Sequence, residues 1–307
     1  MVNKVKIYKN FNISLSHKNS IILIGNFDGL HLGHQKLFKQ ALNLKKKLNL
    51  KIGVVTFDPL PKMYFNKEIY NYRISNFEQK IEYFSKFKVD FLINKKFDKT
   101  FSKITSNKFI KNILYKKLNS SYIFVSNNFR FGYKREGDVE LLKKNQTKYN
   151  YKLVNPKPFL KNKKVISSTF IRKLLENGDL KKANHLLSRN WCIEGKVQRG
   201  RMLGKTIGFP TCNIDIGNYV VAKPGVYSVQ VKYKKKDIKG IANLGYRPTF
   251  NQNKILLEVN LFNFSGNLYN KKLSVNFIKF IRGEKKFRSI KQLKKQIIKD
   301  IKIAKKS

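Results

Sequence analysis

The sequence predicts an α/β domain built on a doubly wound parallel sheet, followed by a small antiparallel β-barrel domain with a C-terminal helix. Three observations carry this reading. From Ile21 to about Leu187 short apolar runs alternate with amphipathic segments, the pattern of parallel strands covered by helices. At Arg189-Asn190-Trp191 the texture changes, and residues 192–281 show β-branched and aromatic alternation broken by Gly, Pro and Asn turns. From Ser289 to Lys305, Ile290, Leu293, Ile297 and Ile301 form one apolar stripe at helical spacing. A chain of 307 residues with 41% apolar composition is long enough for two cores. The division is placed at 187/188, giving domains 1–187 and 188–307.

In the first half the expected strands are Ile21 to Ile24, Ile52 to Thr56, Phe91 to Ile93 and Tyr122 to Val125, each followed by a loop where ligands of such sheets bind. A helix is expected to begin at Ser75, which can cap it while Glu78 reaches back, with Phe77, Ile81, Phe84 and Phe87 on one face. Asn177-Gly178-Asp179 ends one helix and caps a short last one. In the second half, Val226 to Val231 and Leu273 to Phe277 alternate as barrel strands do, and Ser289 with Gln292 forms a capping box for the closing helix. The sequence contains no internal repeat.

The formal net charge is +48, from 66 basic and 18 acidic residues. Such a balance ordinarily points to nucleic acid or an anionic membrane. Here the basic residues are spread along the chain in short runs such as Lys45-Lys46-Lys47, Lys161-Asn162-Lys163-Lys164 and Lys234-Lys235-Lys236, without one dominant patch. The abundance of Lys, Asn and Ile, whose codons are A/T-rich, points to genome composition as the source. The charge still favours anionic small molecules. Nucleic acid is therefore not an obligatory partner in this reading, and no membrane is expected. No apolar run approaches the roughly 20 residues of a membrane span, and Met1 to Ser20 lacks a signal-peptide core, so a cytoplasmic protein is expected. Cys192 and Cys212 have no metal-ligand spacing and are expected as free thiols. Oligomeric state is left open.

The most informative segment is Gly25-Asn26-Phe27-Asp28-Gly29-Leu30-His31-Leu32-Gly33-His34, directly after the apolar run Ile21 to Ile24. A buried strand that ends in glycines and opens a helix presents backbone N–H groups and the positive end of the helix dipole to a phosphate. Two histidines three apart can also be core packing or a metal pair. The surrounding Gly25, Phe27, Asp28, Gly29 and Gly33 favour a nucleotide site. This decapeptide resembles the phosphate-binding signature of the His-x-Gly-His nucleotidyltransferases.

Further segments extend the resemblance. Thr56-Phe57-Asp58-Pro59-Leu60-Pro61 follows the second expected strand, and Ser126-Asn127-Asn128-Phe129-Arg130-Phe131-Gly132 follows the fourth, continuing to Arg135-Glu136-Gly137-Asp138. Ile166-Ser167-Ser168-Thr169-Phe170-Ile171-Arg172 then opens a helix. In this order they resemble the bifunctional riboflavin kinase/FAD synthetase family. That resemblance implies a Rossmann-like nucleotidyltransferase domain in which an FMN phosphate oxygen attacks the α-phosphorus of ATP. It implies that His31 and His34 contact the triphosphate, that Ser168, Thr169 and Arg172 hold its outer phosphates beside a cofactor-binding Ser167, and that Asn128 helps place nucleotide or flavin. Gly25, Phe27, Asp28, Gly29 and Gly33 belong to the same cofactor-binding set.

The run Gly195 to Asn213, ending Gly204-Lys205-Thr206-Ile207-Gly208-Phe209-Pro210-Thr211-Cys212-Asn213, resembles the riboflavin kinase signature ending Pro-Thr-Ala-Asn, with Cys212 in place of Ala. The resemblance implies that Gly204 and Lys205 cover ATP phosphates and that Thr211 and Asn213 hold Mg²⁺, a hard ion that favours oxygen ligands. Pro224 to Tyr227, Asn243 to Phe250 and Leu257 to Phe262 continue the match. Glu258 lies in an apolar strand pattern, where a carboxylate calls for a partner or a task. A structural salt bridge is one reading. The resemblance assigns Glu258 as the general base that accepts the riboflavin 5′-hydroxyl proton, with Asn260 and Asn263 replacing the His and Asp often found beside it. Phe280-Ile281-Arg282-Gly283-Glu284 resembles the family's closing loop, in which Arg282 approaches flavin or nucleotide.

The expected activity is ATP-dependent phosphorylation of riboflavin to FMN and adenylation of FMN to FAD. Two alternatives stay open. Ser126, where the family usually has Gly, leaves room for a riboflavin kinase with a degenerate first domain, and the charge leaves room for an RNA-binding protein.

Overall fold

The computed structural model describes residues 4–161, 164–199, 203–234, 236–248 and 253–307. Gly200 to Met202 of the glycine-rich run, Thr249-Phe250, Asn162-Lys163 and Lys235 lie outside the described residues, as does the side chain of Lys205. The chain divides into two compact units: residues up to Tyr70 with Phe77–Ile166, and Asn71–Asn76 with Ser167–Ser307.

The first unit is a six-stranded, wholly parallel sheet of β1 (Lys6–Tyr8), β2 (Ile21–Ile24), β3 (Ile52–Asp58), β4 (Phe91–Lys96), β5 (Tyr122–Phe124) and β6 (Lys152–Val154), in the order β1-β4-β3-β2-β5-β6. All four residues of β2 are buried, as a central strand covered on both faces requires. Its side chains alternate between two cores. Ile21 and Leu23 join Phe38 of α1 (Leu32–Leu48) and Phe84 of α3 (Phe77–Lys86). Ile22 and Ile24 join Phe101 of α4 (Lys99–Ser102) and, from the π-helical stretch Phe109–Lys117 that continues α5 (Ser106–Lys108), Phe109 and Ile113. From β2 the chain builds outward through β3 and β4 on one side, then returns to β5 and β6 on the other. The topological switch point is therefore β2, and the loop after it is where a sheet of this kind binds ligands.

The strands expected from sequence are present, with β3 and β4 extending beyond their expected ends. The helix assigned to Ser75 begins instead at Phe77. The segment before it is drawn into backbone pairing within the second unit, where the N–H groups of Tyr72 and Arg73 donate to the Asn218 carbonyl and Val220 N–H donates to that of Arg73. Short elements without a periodic signature were not anticipated: β1, β6, α2 (Pro61–Phe65), α6 (Val139–Lys144), and the hairpin of β7 (Leu160–Lys161) and β8 (Lys164–Val165).

The second unit is a closed antiparallel barrel, order β10-β13-β12-β11-β14-β9, from β9 (Trp191–Gln198), β10 (Cys212–Asp215), β11 (Gly225–Tyr233), β12 (Lys236–Pro248), β13 (Asn253–Leu261) and β14 (Lys272–Gly283). The short α9 (Leu203–Thr206) lies between β9 and β10. The barrel's inner face buries Trp191, Tyr227, Phe277 and branched aliphatics, and closure removes the open edges a sheet of this length would expose. Helices α7 (Ser168–Glu176) and α8 (Leu180–Leu187), which the sequence reading assigns to the first domain, group spatially with the barrel. Asp179 caps α8 by accepting from Lys182 N–H at 3.2 Å. The closing helix α10 (Ile290–Lys305) starts at its expected cap, Ser289 Oγ accepting from Gln292 N–H at 3.2 Å, while Gln292 Oε1 accepts from Arg288 N–H. Ile301 and Ala304 seat it against Val226 and Ile241 of the barrel.

Candidate active sites

At the switch point, β2 runs into a turn of unusual backbone. Phe27 (φ 46°) and Leu30 (φ 39°) adopt left-handed values that cost non-glycine residues on the order of 1–3 kcal/mol each, and Gly29 (φ 78°) supplies the third at no such cost. The strain is held by burial: Phe27 packs edge-on to Phe38 and Phe84, and Asp28 is buried. His31 stands at the N-cap of α1 with extended backbone and makes no side-chain cap bond. The first bond of the helical ladder runs from Gln35 N–H to the His31 carbonyl, so the N–H groups of Leu32, Gly33 and His34 precede it, where the positive dipole end is strongest.

The two imidazoles stack with centroids 3.8 Å apart and 21° between planes. Gly33 permits this, since a Cβ there would come within 3.2 Å of the His31 ring. His34 Nδ1 is buried without a hydrogen-bond partner. Burial, then the charges of His31 and Lys80, hold His34 well below the usual histidine range, so it is neutral near pH 7. The Asn26 carbonyl accepts from Lys80 Nζ at 2.9 Å and from Thr56 Oγ1 at 3.3 Å. Lys80 was missed in the sequence because only the fold carries α3 to the turn.

Asn128 is exposed on the loop after β5, its Oδ1 accepting from Ser126 Oγ at 2.9 Å. In the second unit, Ser167 caps α7 by accepting from Phe170 N–H, and Ser168 and Thr169 form the first turn. Arg172 is buried, donating from Nε to the Tyr72 carbonyl at 2.7 Å with its guanidinium 3.6 Å over the Tyr72 ring.

A cavity of about 390 Å³ lies against the barrel wall, between its strands, the Pro-Thr loop and α10. Its wall is a continuous row around the barrel, set by register: Gln198 opposes Asn213, Asn213 opposes Glu258, Glu258 opposes Asn243, Asn243 opposes Val226, and Val226 opposes Arg282. Residues opposite one another share a face of the sheet, and all six line the cavity. Glu258, Asn213, Arg282 and Thr211 are thus brought to one cavity, and Gly204 lines it too. Gly204 allows α9 to fold onto the Pro-Thr loop: Phe209 N–H donates to its carbonyl, and a Cβ there would lie 2.4 Å from the Phe209 carbonyl oxygen. Asn260 Nδ2 donates to the Pro210 carbonyl, pinning the same loop to β13. Asn213 Oδ1 is buried without a hydrogen-bond partner.

Arg282 is held at the cavity by Asp300 of α10, with Nη2 at 2.7 Å and Nε at 2.9 Å from Oδ2, while Gln296 Nε2 donates to Oδ1. Leu293, Ile297 and Ile301 of α10 complete an apolar side of the cavity. Gln198, Asn243 and Asp300 were not found in the sequence, since register and helix docking place them. Cys212, one residue before Asn213, opposes Val259 instead, and burial pushes its thiol up to about 11.

A strained, dipole-led turn at the switch point of a parallel sheet, with a polar-walled barrel cavity beside a glycine-rich loop, defines a two-domain transferase that handles phosphorylated nucleotides. Residues 13–170 match the family model of FAD synthetase and residues 187–307 that of riboflavin kinase. The chain belongs to the bifunctional riboflavin kinase/FMN adenylyltransferase family: it phosphorylates riboflavin to FMN and adenylates FMN to FAD. A relative of that name from Buchnera aphidicola subsp. Schizaphis graminum is 41% identical, covering 96% of each chain. One from Escherichia coli (strain K12) is 36% identical, covering 91% of this chain and 90% of its own. A solved Streptococcus pneumoniae structure that bears the name macrolide-efflux protein shares the fold, with TM-score 0.88 and 28% identity over 98% of this chain and 99% of that one. Among the described residues of this chain, no helix is long and apolar enough to cross a membrane.

Proposed function

We propose that the two steps run in separate sites, FMN adenylation within residues 1–187 and riboflavin phosphorylation within 188–307. In adenylation both reactants are anions, so catalysis consists of alignment and stabilisation of charge on the phosphoryl oxygens. The turn from Gly25 to Gly33 cradles phosphate with backbone N–H groups, and His31 and His34 touch the triphosphate. His34, held neutral, supplies a hydrogen-bonding imidazole rather than a charge. Ser167, Ser168, Thr169 and Arg172 are phosphate ligands, and Asn128 places nucleotide or flavin.

In phosphorylation Glu258 takes the proton of the riboflavin 5′-hydroxyl as that oxygen attacks the γ-phosphorus of ATP. Gly204 and Lys205 cover the phosphates, and Arg282 faces flavin or nucleotide from the opposite side of the row. Thr211 and Asn213 are the residues that would hold Mg²⁺. The fit rests on chemistry: a hard cation takes neutral oxygen donors, and Asn213 Oδ1 is a buried acceptor otherwise unsatisfied. When bound, Mg²⁺ would withdraw charge from the phosphate oxygens. Both steps consume ATP, which supports a cytoplasmic enzyme, and neither step calls for nucleic acid or a membrane.

The observation that carries this reading is the register that sets Glu258 directly between Asn213 and Asn243 in a cavity distinct from the histidine turn. Chromatography of products from riboflavin and from supplied FMN tests it. Glu258→Ala is expected to lose riboflavin phosphorylation by at least about 100-fold while still forming FAD from FMN. His31→Ala with His34→Ala is expected to do the reverse. Equal loss of both activities in each variant would refute separate sites.

A further inference from the structure

The buried lysine beneath the phosphate turn has no role in the reading above. Lys80 is 2% exposed, and its ammonium donates to the Asn26 carbonyl, the peptide oxygen immediately before the left-handed Phe27. Thr56 Oγ1 bonds the same oxygen. The turn that follows departs from ordinary backbone at Phe27, Gly29 and Leu30, and such conformations persist only where their surroundings over-determine them. Asn26 is one place where that constraint is applied from outside the turn, and the Leu30 carbonyl, which accepts from Gln35 Nε2 at 2.9 Å, is another. Lys80 brings a charge as well as a donor to this first oxygen, that of Asn26, and the ligands proposed for this turn are polyanions. The same ammonium is one of the charges that hold His34 neutral, after burial and beside His31.

We propose that Lys80 is a positioning residue for FMN adenylation, which fixes the phosphate-binding turn through Asn26 and sets a buried positive charge behind it. The proposal rests on the assignment of adenylation to the histidine turn. A misplacement of catalytic geometry by about 1 Å can cost on the order of 100-fold in rate. Lys80→Met is therefore expected to lower kcat for FAD formation from FMN about 100-fold, with a smaller change in KM for ATP, and to leave riboflavin phosphorylation within 2-fold. Lys80→Arg, which keeps both donor and charge, is expected to recover at least 10-fold of that loss.

Lys80→Met activity within 3-fold of the parent overturns the proposal. So does a Lys80→Arg variant as poor as Lys80→Met, since a space-filling role alone gives that result. Where Lys80→Met fails to fold by far-UV circular dichroism, Lys80→Gln takes its place. It keeps a donor for Asn26 without the charge, and a kcat between those of the parent and the His31→Ala/His34→Ala enzyme is expected, parental kcat overturning the role of charge. The histidine double variant separates the two levels. If it still makes FAD, the site assignment fails; if it is inactive while Lys80→Met is normal, only the role of Lys80 fails.

Discussion

The two sites of this enzyme are built in opposite ways. The turn proposed for adenylation is one contiguous decapeptide at the end of a buried strand, and its key groups are close in sequence before they are close in space. The proposed kinase site is built on a row of six residues, one from each barrel strand, drawn from a span of 85 positions between Gln198 and Arg282 and joined only by register. A local site concentrates strain in a few peptides and depends on what braces them. A register-built site spreads its dependence over the whole barrel, so one substitution removes a function without removing the wall.

The largest test of this contrast is Asn213→Ala. In the row it deletes the buried Oδ1 proposed as a Mg²⁺ ligand and leaves its neighbours in place. Riboflavin phosphorylation at fixed Mg²⁺ is expected to fall on the order of 100-fold, with partial recovery as Mg²⁺ is raised and FMN adenylation unaffected. A fall that no Mg²⁺ concentration relieves would mean that Asn213 serves the barrel wall rather than the ion.

The next test removes a brace from outside the row. Asp300→Ala leaves Arg282 without its buried carboxylate, and breaking such a pair costs roughly 3 kcal/mol. Trp191, the only tryptophan in the chain, is buried in the barrel, so its fluorescence during urea unfolding reports this loss directly. Kinase activity is expected to weaken with it, because α10 walls the same cavity.

The histidine turn differs again, in its response to acid. His34 titrates well below 6.5 when folded and near 6.5 when unfolded. Between those values the unfolded chain binds more protons, so the stability His34 contributes is present above pH 6.5 and lost as pH falls below it. Between pH 7.5 and 5.5 this group is expected to cost about 1 kcal/mol. The loss should register in far-UV circular dichroism during urea unfolding and be absent in His34→Gln. The Trp191 signal is expected to move less than the dichroism.

The same contrast explains what could be read from the sequence. The turn was legible because glycines, histidines and the preceding apolar run are adjacent, and the parallel sheet because its strands are short, apolar and separated by amphipathic helices. Glu258 was legible as a carboxylate in an apolar strand. Its neighbours in the row were not: Gln198 and Asn243 look like ordinary polar strand residues until pairing sets them opposite Asn213 and Glu258. Lys80 is separated by 54 positions from the carbonyl it holds, and one Lys among so many carries no signal. The pairing of Tyr72 and Arg73 with Asn218 was likewise not legible, because it joins segments about 145 positions apart.

The smallest effect is expected at Cys212, and it tests whether the row is the site or merely part of a polar barrel wall. Cys212 adjoins Asn213 in sequence, yet strand alternation sets it against Val259 and away from the cavity. Burial raises its thiol from 9.0 to about 11, so it is protonated and poorly nucleophilic at neutral pH. Cys212→Ala, which restores the alanine usual in this motif, is expected to leave both activities within 2-fold, and the parent thiol to react slowly with iodoacetamide at pH 7.5. Because the folded pKa lies above the unfolded one, the stability due to the neutral thiol is present below pH 9 and lost as pH rises toward 11. The alanine variant should lack that alkaline component. A large kinase defect in Cys212→Ala would show that both faces of β10 serve catalysis, and the distinction between a register-built row and its supporting wall would fall.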